Sequence, residues 1–174
     1  MQFNVAGLLK SSTGDLRVVD VEGVVDIDDP MARVIAPIRG RARLIREPAG
    51  VLVEADLTTR LELTCARCLA PVEEAISVEV TESFQPTVYI PGGPPVATDD
   101  SDPATLIDEL HVLDLTEVAR QAITLAVPLV VLCRDGCRGL CALCGADLND
   151  GPCGCRPDPD PRWDALRGRS EDGS

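Results

Sequence analysis

The sequence predicts an α+β fold: an antiparallel β-sheet with one main amphipathic helix and a Cys-rich C-terminal extension. Long β-branched runs separated by turn residues fill the first half, and a single later stretch has helical periodicity. Six of the eight cysteines lie in the last third of the chain. These observations divide the chain into an α+β domain over residues 1–132, a Cys-rich segment over 133–157 and a tail over 158–174.

The strands are expected in the first half. Residues 16–25 are apolar and β-branched, which predicts a first strand. Residues 33–46 and 51–64 are two long β-rich runs around Glu47-Pro48-Ala49-Gly50, a four-residue turn, and this pattern is typical of a β-hairpin. Residues 72–84 alternate apolar and polar side chains, which predicts a strand with one buried and one exposed face.

A loop and a helix follow these strands. Residues 85–105 are rich in Pro, Gly and Asp and predict a flexible connection, and residues 106–113 fit one short strand. Over residues 115–126 the apolar side chains recur at helical spacing and form one stripe. Asp114 is a suitable N-cap for this helix, and Glu117 three residues later completes a capping-box pattern.

The eight cysteines predict a metal-binding role. Cys65 and Cys68 form a CxxC at the end of a predicted strand, a turn whose two sulfurs can reach one ion at about 2.3 Å. The remaining six are closely spaced near the end of the chain: Cys133, Cys137, Cys141, Cys144, Cys153 and Cys155. In a reducing compartment such clusters usually hold metal rather than disulfides.

The spacing favours two four-cysteine sites. The first site contains Cys65, Cys68, Cys133 and Cys137, and the second contains Cys141, Cys144, Cys153 and Cys155. Two cysteines of a CxC pair can bind the same ion only in a tight geometry. An alternative is therefore that either Cys153 or Cys155 is not a ligand. We expect one or two structural zinc ions, because four protein ligands leave no coordination position for a substrate. Rubredoxin-like iron, redox disulfides and free core thiols remain alternatives.

The charge distribution bears on possible partners. The net charge of −13 argues against non-specific binding to nucleic acid or to an anionic membrane. Residues 31–67 nevertheless carry +3, with seven arginines and four carboxylates, whereas residues 68–132 carry −10.

Four arginines share one parity on a predicted strand and would form a basic stripe: Arg33, Arg39, Arg41 and Arg43. Two interpretations are open. Arg39, Arg41 and Arg43 contact RNA phosphates, or the stripe pairs across the hairpin with Glu54, Asp56 and Glu62.

Catalysis is not indicated. The single histidine, His111, has no nucleophile in a recognisable motif beside it, and we expect a structural histidine with its hydrogen bonds satisfied. No nucleotide-binding loop, zinc-protease motif or serine-hydrolase motif occurs, so we expect neither an enzyme nor a small-molecule substrate. No apolar run has the length of a membrane span and residues 1–10 lack signal-peptide features, which predicts a cytoplasmic protein. Trp163 is expected to pack the tail, residues 158–174, against the body of the fold.

Two segments resemble the YceD family, the large ribosomal RNA subunit accumulation proteins. Cys65-Ala66-Arg67-Cys68-Leu69 resembles the family's CxRCL turn, and the run from Leu132 to Asn149, followed by Asp160-Pro161-Arg162-Trp163, is similar to its C-terminal region. The resemblance implies a non-enzymatic role in synthesis, processing or stability of large-subunit rRNA, with that rRNA or a pre-ribosomal particle as partner. Two alternatives remain: an acidic adaptor for a ribosomal protein, and a thiol- or zinc-responsive redox regulator.

Overall fold

A computed structural model of the chain describes residues 1–27, 29–98 and 100–156, together with Arg162. Because aromatic residues make up only 2% of the sequence, the core is aliphatic, and the fully buried side chains are mainly Leu, Ile and Val around Phe84. The helices and strands are, in chain order, β1 (Gln2–Asn4), α1 (Ala6–Leu9), β2 (Leu16–Gly23), β3 (Ala32–Val34), β4 (Ile38–Glu47), β5 (Gly50–Thr64), β6 (Pro71–Pro86), β7 (Leu106–Ile107), β8 (Val112–Asp114) and α2 (Thr116–Ala126). A short 3-10 helix spans Pro103–Thr105.

The strands form one sheet, which curls into a half-barrel and dominates the fold. The strand order is β1-β8-β7-β6-β5-β4-β2, and β3 pairs with β5 beside the end of β4. All pairs are antiparallel except β6 with β7, which is parallel and short. The prediction of an antiparallel sheet is therefore wrong for the pair β6 and β7.

The β4–β5 hairpin confirms the strongest strand prediction, with two adjustments. Glu47 pairs directly with Gly50, so the loop consists of Pro48 and Ala49 alone, not four residues. The run expected from residue 33 is also interrupted, because Pro37 lies between β3 and β4 and has no N–H for the ladder.

The single strand expected over residues 106–113 is instead two strands, β7 and β8, joined by a turn. Within the turn the Asp108 side chain accepts hydrogen bonds from Leu110 N–H and Val112 N–H, at 2.9 and 2.8 Å. His111 has a φ of 62°, which reverses the chain. After this turn, β8 runs back along β7 and pairs with it in antiparallel orientation.

Helix α2 lies where the apolar periodicity indicated a helix and packs against the sheet at β6. Its buried side chains are Val118, Ala119 and Ile123. The N-cap residue is Leu115 and not the expected Asp114, although the Asp114 carboxylate does accept a hydrogen bond from Thr116 N–H at 2.9 Å. The capping-box expectation is wrong, because Glu117 binds Arg120 on its own helix.

The segment between β6 and β7 has little regular secondary structure but touches the sheet. Ala97 N–H donates to the Pro86 carbonyl at 2.8 Å, and the Ile90 side chain is buried. The docking of the tail by Trp163 lies outside the described residues. None of the described helices is both long and apolar enough to cross a membrane.

Candidate metal centres

The first cysteine cluster sits where the β5–β6 turn meets the segment after α2. Cys65, Cys68 and Cys137 are buried and Cys133 is exposed, and the four sulfurs lie within 4.8 Å of one another. The Sγ–Sγ distance is 3.8 Å between Cys65 and Cys137 and 3.5 Å between Cys68 and Cys133. Four sulfurs at about 2.3 Å from one ion would be about 3.8 Å apart, so this cluster fits a tetrahedral metal.

Backbone hydrogen bonds hold the two halves of this cluster together. Ala66 N–H donates to the Val131 carbonyl at 2.8 Å, and Leu140 N–H donates to the Arg67 carbonyl at 3.1 Å. Gly139 is needed at this crossing: its φ is 74°, and a Cβ there would lie 2.9 Å from the Arg67 oxygen. These backbone contacts join the turn to the later segment beside the four sulfurs.

Hydrogen bonds to sulfur favour thiolate at one member of the first cluster. Amides of Cys68, Arg67 and Cys133 lower the pKa of Cys65 to about 6, despite its burial. The Cys68 sulfur, which is hydrogen-bonded to Cys133, raises the pKa of Cys133 to about 12. Cys65 therefore ionises readily, whereas Cys68 and Cys133 resist ionisation, because like charges this close repel unless a cation compensates them.

The second cluster is local and solvent-facing. The sulfurs of its four residues lie within 4.8 Å of one another: Cys141, Cys144, Cys153 and Cys155. Gly145 N–H donates to the Cys141 carbonyl at 2.9 Å with a φ of 71°, and Leu143 N–H donates to the Cys141 sulfur at 3.4 Å. This amide-to-sulfur turn is typical of a zinc knuckle.

The second cluster repeats the ionisation pattern of the first. Backbone amides of Cys144 and Leu143 lower the pKa of Cys141 to about 6, and hydrogen-bonded Cys144 and Cys153 raise that of Cys155 to about 12. The two clusters contain the same groups of four that the spacing favours. They differ in environment, because three of the four cysteines are buried in the first and three are exposed in the second.

All four arginines of the stripe form ion pairs with carboxylates. Arg33 binds Glu62 at 2.7 Å and Arg43 binds Glu54 at 2.9 Å, as the cross-strand interpretation expects. The other two arginines pair with β2 instead of β5: Arg39 with Glu22 at 3.1 Å, and Arg41 with Asp20 at 3.5 Å. All four pairs are exposed, so each contributes about 1 kcal/mol or less.

His111 lies apart from both clusters. Its carbonyl accepts a hydrogen bond from Val5 N–H at 2.9 Å, which ties the turn to the N-terminal segment. Its Nδ1 is buried without a hydrogen-bond partner among the described residues, so the satisfied structural histidine expected from the sequence is not what the fold contains.

Residues 53–168 match the model of one protein family, Large ribosomal RNA subunit accumulation protein YceD. The match covers both cysteine clusters, nearly all of β5, and β6, β7, β8 and α2. The chain belongs to the YceD family. An uncharacterised protein of Mycobacterium tuberculosis is 33% identical over 117 residues, which are 67% of this chain and 54% of that protein.

Two more distant relatives extend the YceD comparison. An uncharacterised Mycobacterium leprae protein is 29% identical, over 75% of this chain and 58% of its own length. The chloroplastic large ribosomal RNA subunit accumulation protein YCED homolog 1 of Zea mays is 28% identical, over 78% of this chain and 60% of its own length. The chain thus spans little more than half the length of these curated relatives. No solved structure matches it.

Proposed function

We propose that this YceD-family protein is a non-enzymatic ribosome-biogenesis factor that supports accumulation of large-subunit rRNA. Family membership carries the proposal, together with the name of the maize relative. The expected partner is large-subunit rRNA or a pre-ribosomal particle in the cytoplasm. The step affected is the synthesis, processing or stability of that rRNA.

A deletion strain tests this role. We expect a lower ratio of large- to small-subunit rRNA and a deficit of large subunits in sucrose gradients, both restored by the wild-type chain. A rescue chain with Ser at Cys65 and Cys68 should fail, because it loses the cluster that joins the sheet to the later segment. An unchanged rRNA ratio and gradient in the deletion strain would refute the role.

The two clusters are proposed to hold structural zinc. Eight thiols in two sets of four, each set within 4.8 Å, support this assignment, as do the sulfur separations of 3.5 and 3.8 Å in the first cluster, which are close to a tetrahedral edge. Elemental analysis of protein purified without a metal-binding tag should find two zinc ions per chain. Cys65→Ser/Cys68→Ser should remove one ion, and Cys153→Ser/Cys155→Ser the other. Iron in place of zinc, or one ion in the wild type, would contradict the assignment.

Direct RNA contact through Arg39, Arg41 and Arg43 is a further part of the proposal. Their carboxylate partners are exposed and bind weakly, so a phosphate could replace them. Charge reversal of all three should reduce co-sedimentation with ribosomal particles at low salt. Arg60→Glu is a control on the neighbouring strand, since Arg60 forms an exposed ion pair outside the stripe. Unchanged co-sedimentation of the triple variant would remove these residues from the interface.

An acidic adaptor is the second candidate, and the charge of −10 over residues 68–132 favours it. Capture of ribosomal components that survives ribonuclease would support an adaptor, whereas ribonuclease-sensitive capture would support RNA contact. A thiol or zinc redox regulator is less favoured, because most of the first cluster is buried. Retention of zinc at both clusters under peroxide would exclude that regulator.

A further inference from the structure

Strand β6 has a long open edge. Strand β5 pairs with it from Pro71 to Phe84, but on its other side β7 pairs only with Gln85 and Pro86. Within the described part of the chain, no strand covers the edge between Pro71 and Phe84. An uncovered edge of this length is a template for another strand.

The register shows which backbone groups face this open edge. Cys65 N–H donates to the Ala70 carbonyl at the start of β6. At this end of the ladder, the even-numbered residues of β6 therefore form the backbone hydrogen bonds with β5. Bonded positions alternate along an antiparallel pair, and the register continues without a bulge to Phe84. Odd-numbered residues, among them Ser77, Glu79 and Thr81, therefore direct their N–H and C=O groups toward the open side.

Helix α2 forms the opposite wall of a groove along this edge. The groove has a volume of about 550 Å³ and runs between residues 77–82 of β6 and the α2 side chains Ala122, Leu125 and Ala126. Leu125 is 87% exposed although it is a large apolar residue on this wall. A strand edge opposite an apolar helix face is the geometry in which extended peptides bind by strand addition.

The charges beside the groove are unbalanced. Glu79 lies directly opposite Asp56 across the β5–β6 pair, and like charges in that position repel. Arg41 lies opposite Asp56 on the β4 side, but its ion pair is with Asp20. The other acidic cross-strand pair, Glu73 opposite Glu62, is compensated, because Arg60 binds Glu73 and Arg33 binds Glu62. Among the described residues, neither Asp56 nor Glu79 has an ion-pair partner.

We infer that the β6–α2 groove binds an extended basic segment of a partner protein, in which apolar and basic residues alternate. Added beside β6, such a segment would bond to the outward backbone groups of Ser77, Glu79 and Thr81. Its side chains would alternate between the two faces of the sheet. Apolar ones would contact Leu125 and Ala122, and basic ones would lie beside Glu79, where they compensate its repulsion with Asp56. The acidic edge disfavours nucleic acid as the occupant.

A synthetic peptide tests the inference on the full zinc-loaded chain. The probe is a fluorescent seven-residue peptide of alternating arginine and valine, titrated by anisotropy. A second peptide of identical sequence carries a backbone N-methyl group on every residue, which removes the strand hydrogen-bond donors on both edges and keeps the charge. We expect the N-methylated peptide to bind at least about tenfold more weakly. Amide hydrogen exchange should slow at Ser77, Glu79 and Thr81 when the unmodified peptide binds.

Two exposed substitutions locate the site without disturbing the core. Glu79→Lys and Leu125→Asp should each weaken peptide binding at least about fivefold. Glu79→Lys should not lower the unfolding midpoint of the protein, because it ends the repulsion between Glu79 and Asp56. Glu109→Lys makes the same charge change on the exposed β7–β8 turn and should bind as wild type. Equal binding of the N-methylated peptide, or equal weakening by Glu109→Lys, would overturn the inference, since either means non-specific charge attraction. No binding of the unmodified peptide would also overturn it.

Discussion

The two cysteine clusters should contribute very differently to global stability. We consider two matched variants that each remove a pair of ligands: Cys65→Ser/Cys68→Ser in the first cluster and Cys153→Ser/Cys155→Ser in the second. The first cluster joins Cys68 to Cys133, which are 65 residues apart. The second cluster lies entirely within residues 141–155.

The magnitude follows from loop closure. A cross-link over a loop of about this length restricts the unfolded chain by about 4 kcal/mol in the chain-entropy estimate. Loss of the first cluster should therefore lower the unfolding free energy by about 4 kcal/mol, or the Tm by about 10 °C for a chain of this size. The same estimate gives about 3 kcal/mol for a loop of about 15 residues. The second cluster is mostly exposed and outside the buried core, however, so it can open without global unfolding, and its loss should change global stability by about 0.5 kcal/mol.

The assay is guanidinium unfolding followed by circular dichroism, in reducing buffer that contains zinc, with the zinc content of each variant measured in parallel. Zinc content shows that each variant has lost its own site. Equal destabilisation by the two variants would refute the loop-closure reasoning. A wild-type midpoint for the first variant after zinc loss would refute it as well.

Three further predictions concern the sheet and α2. Gly40→Ala should destabilise the fold by about 2 kcal/mol in urea unfolding, because a Cβ there would lie 1.9 Å from the Asp56 carbonyl oxygen. An unchanged unfolding free energy in this variant would show that β4 and β5 can move apart to accommodate the methyl group at little cost. Arg120 hydrogen bonds lower the Glu117 pKa to about 2 from 4.5, so stability from Glu117 is present above pH 4.5 and is lost as the pH falls toward 2. The urea midpoint of wild type should accordingly exceed that of Glu117→Gln at pH 6 by more than at pH 3, and a constant difference would contradict this. Leu57→Ala should cost about 3 kcal/mol in the same assay, because Leu57 is fully buried in β5, and a loss below about 1 kcal/mol would mean that the core closes around the cavity.

The hairpin could be predicted from sequence because its signals are local. The β-rich runs flank a Pro-containing turn, and both strands of the hairpin, β4 and β5, formed there. The parallel pairing of β7 with β6 could not be predicted, because it joins residues about 20 positions apart through backbone groups that leave no side-chain pattern. Helix α1 was missed because four residues are too few for a periodic pattern.

The candidate site shows the same division between local and non-local information. CxxC spacing identified one half of each cluster, Cys65 with Cys68 and Cys141 with Cys144, since two sulfurs three positions apart share one side of a turn. The cross-strand interpretation places the partners of Arg39 and Arg41 on β5, whereas both arginines bind β2, which flanks β4 on its other side. An arginine on a central strand can reach either neighbour, and sequence alone does not contain the strand order.

The long span of the first cluster has a consequence for the chain during its synthesis. Cys65 and Cys68 are made early, but Cys133 and Cys137 are made only after β6, β7, β8 and α2. Until then the CxxC turn exposes two thiols that lack the other two sulfurs of their cluster. The nascent chain therefore passes through a period in which it needs a reducing environment at its first cysteine pair. The second cluster has no such delay, because its four ligands are synthesised within fifteen consecutive residues.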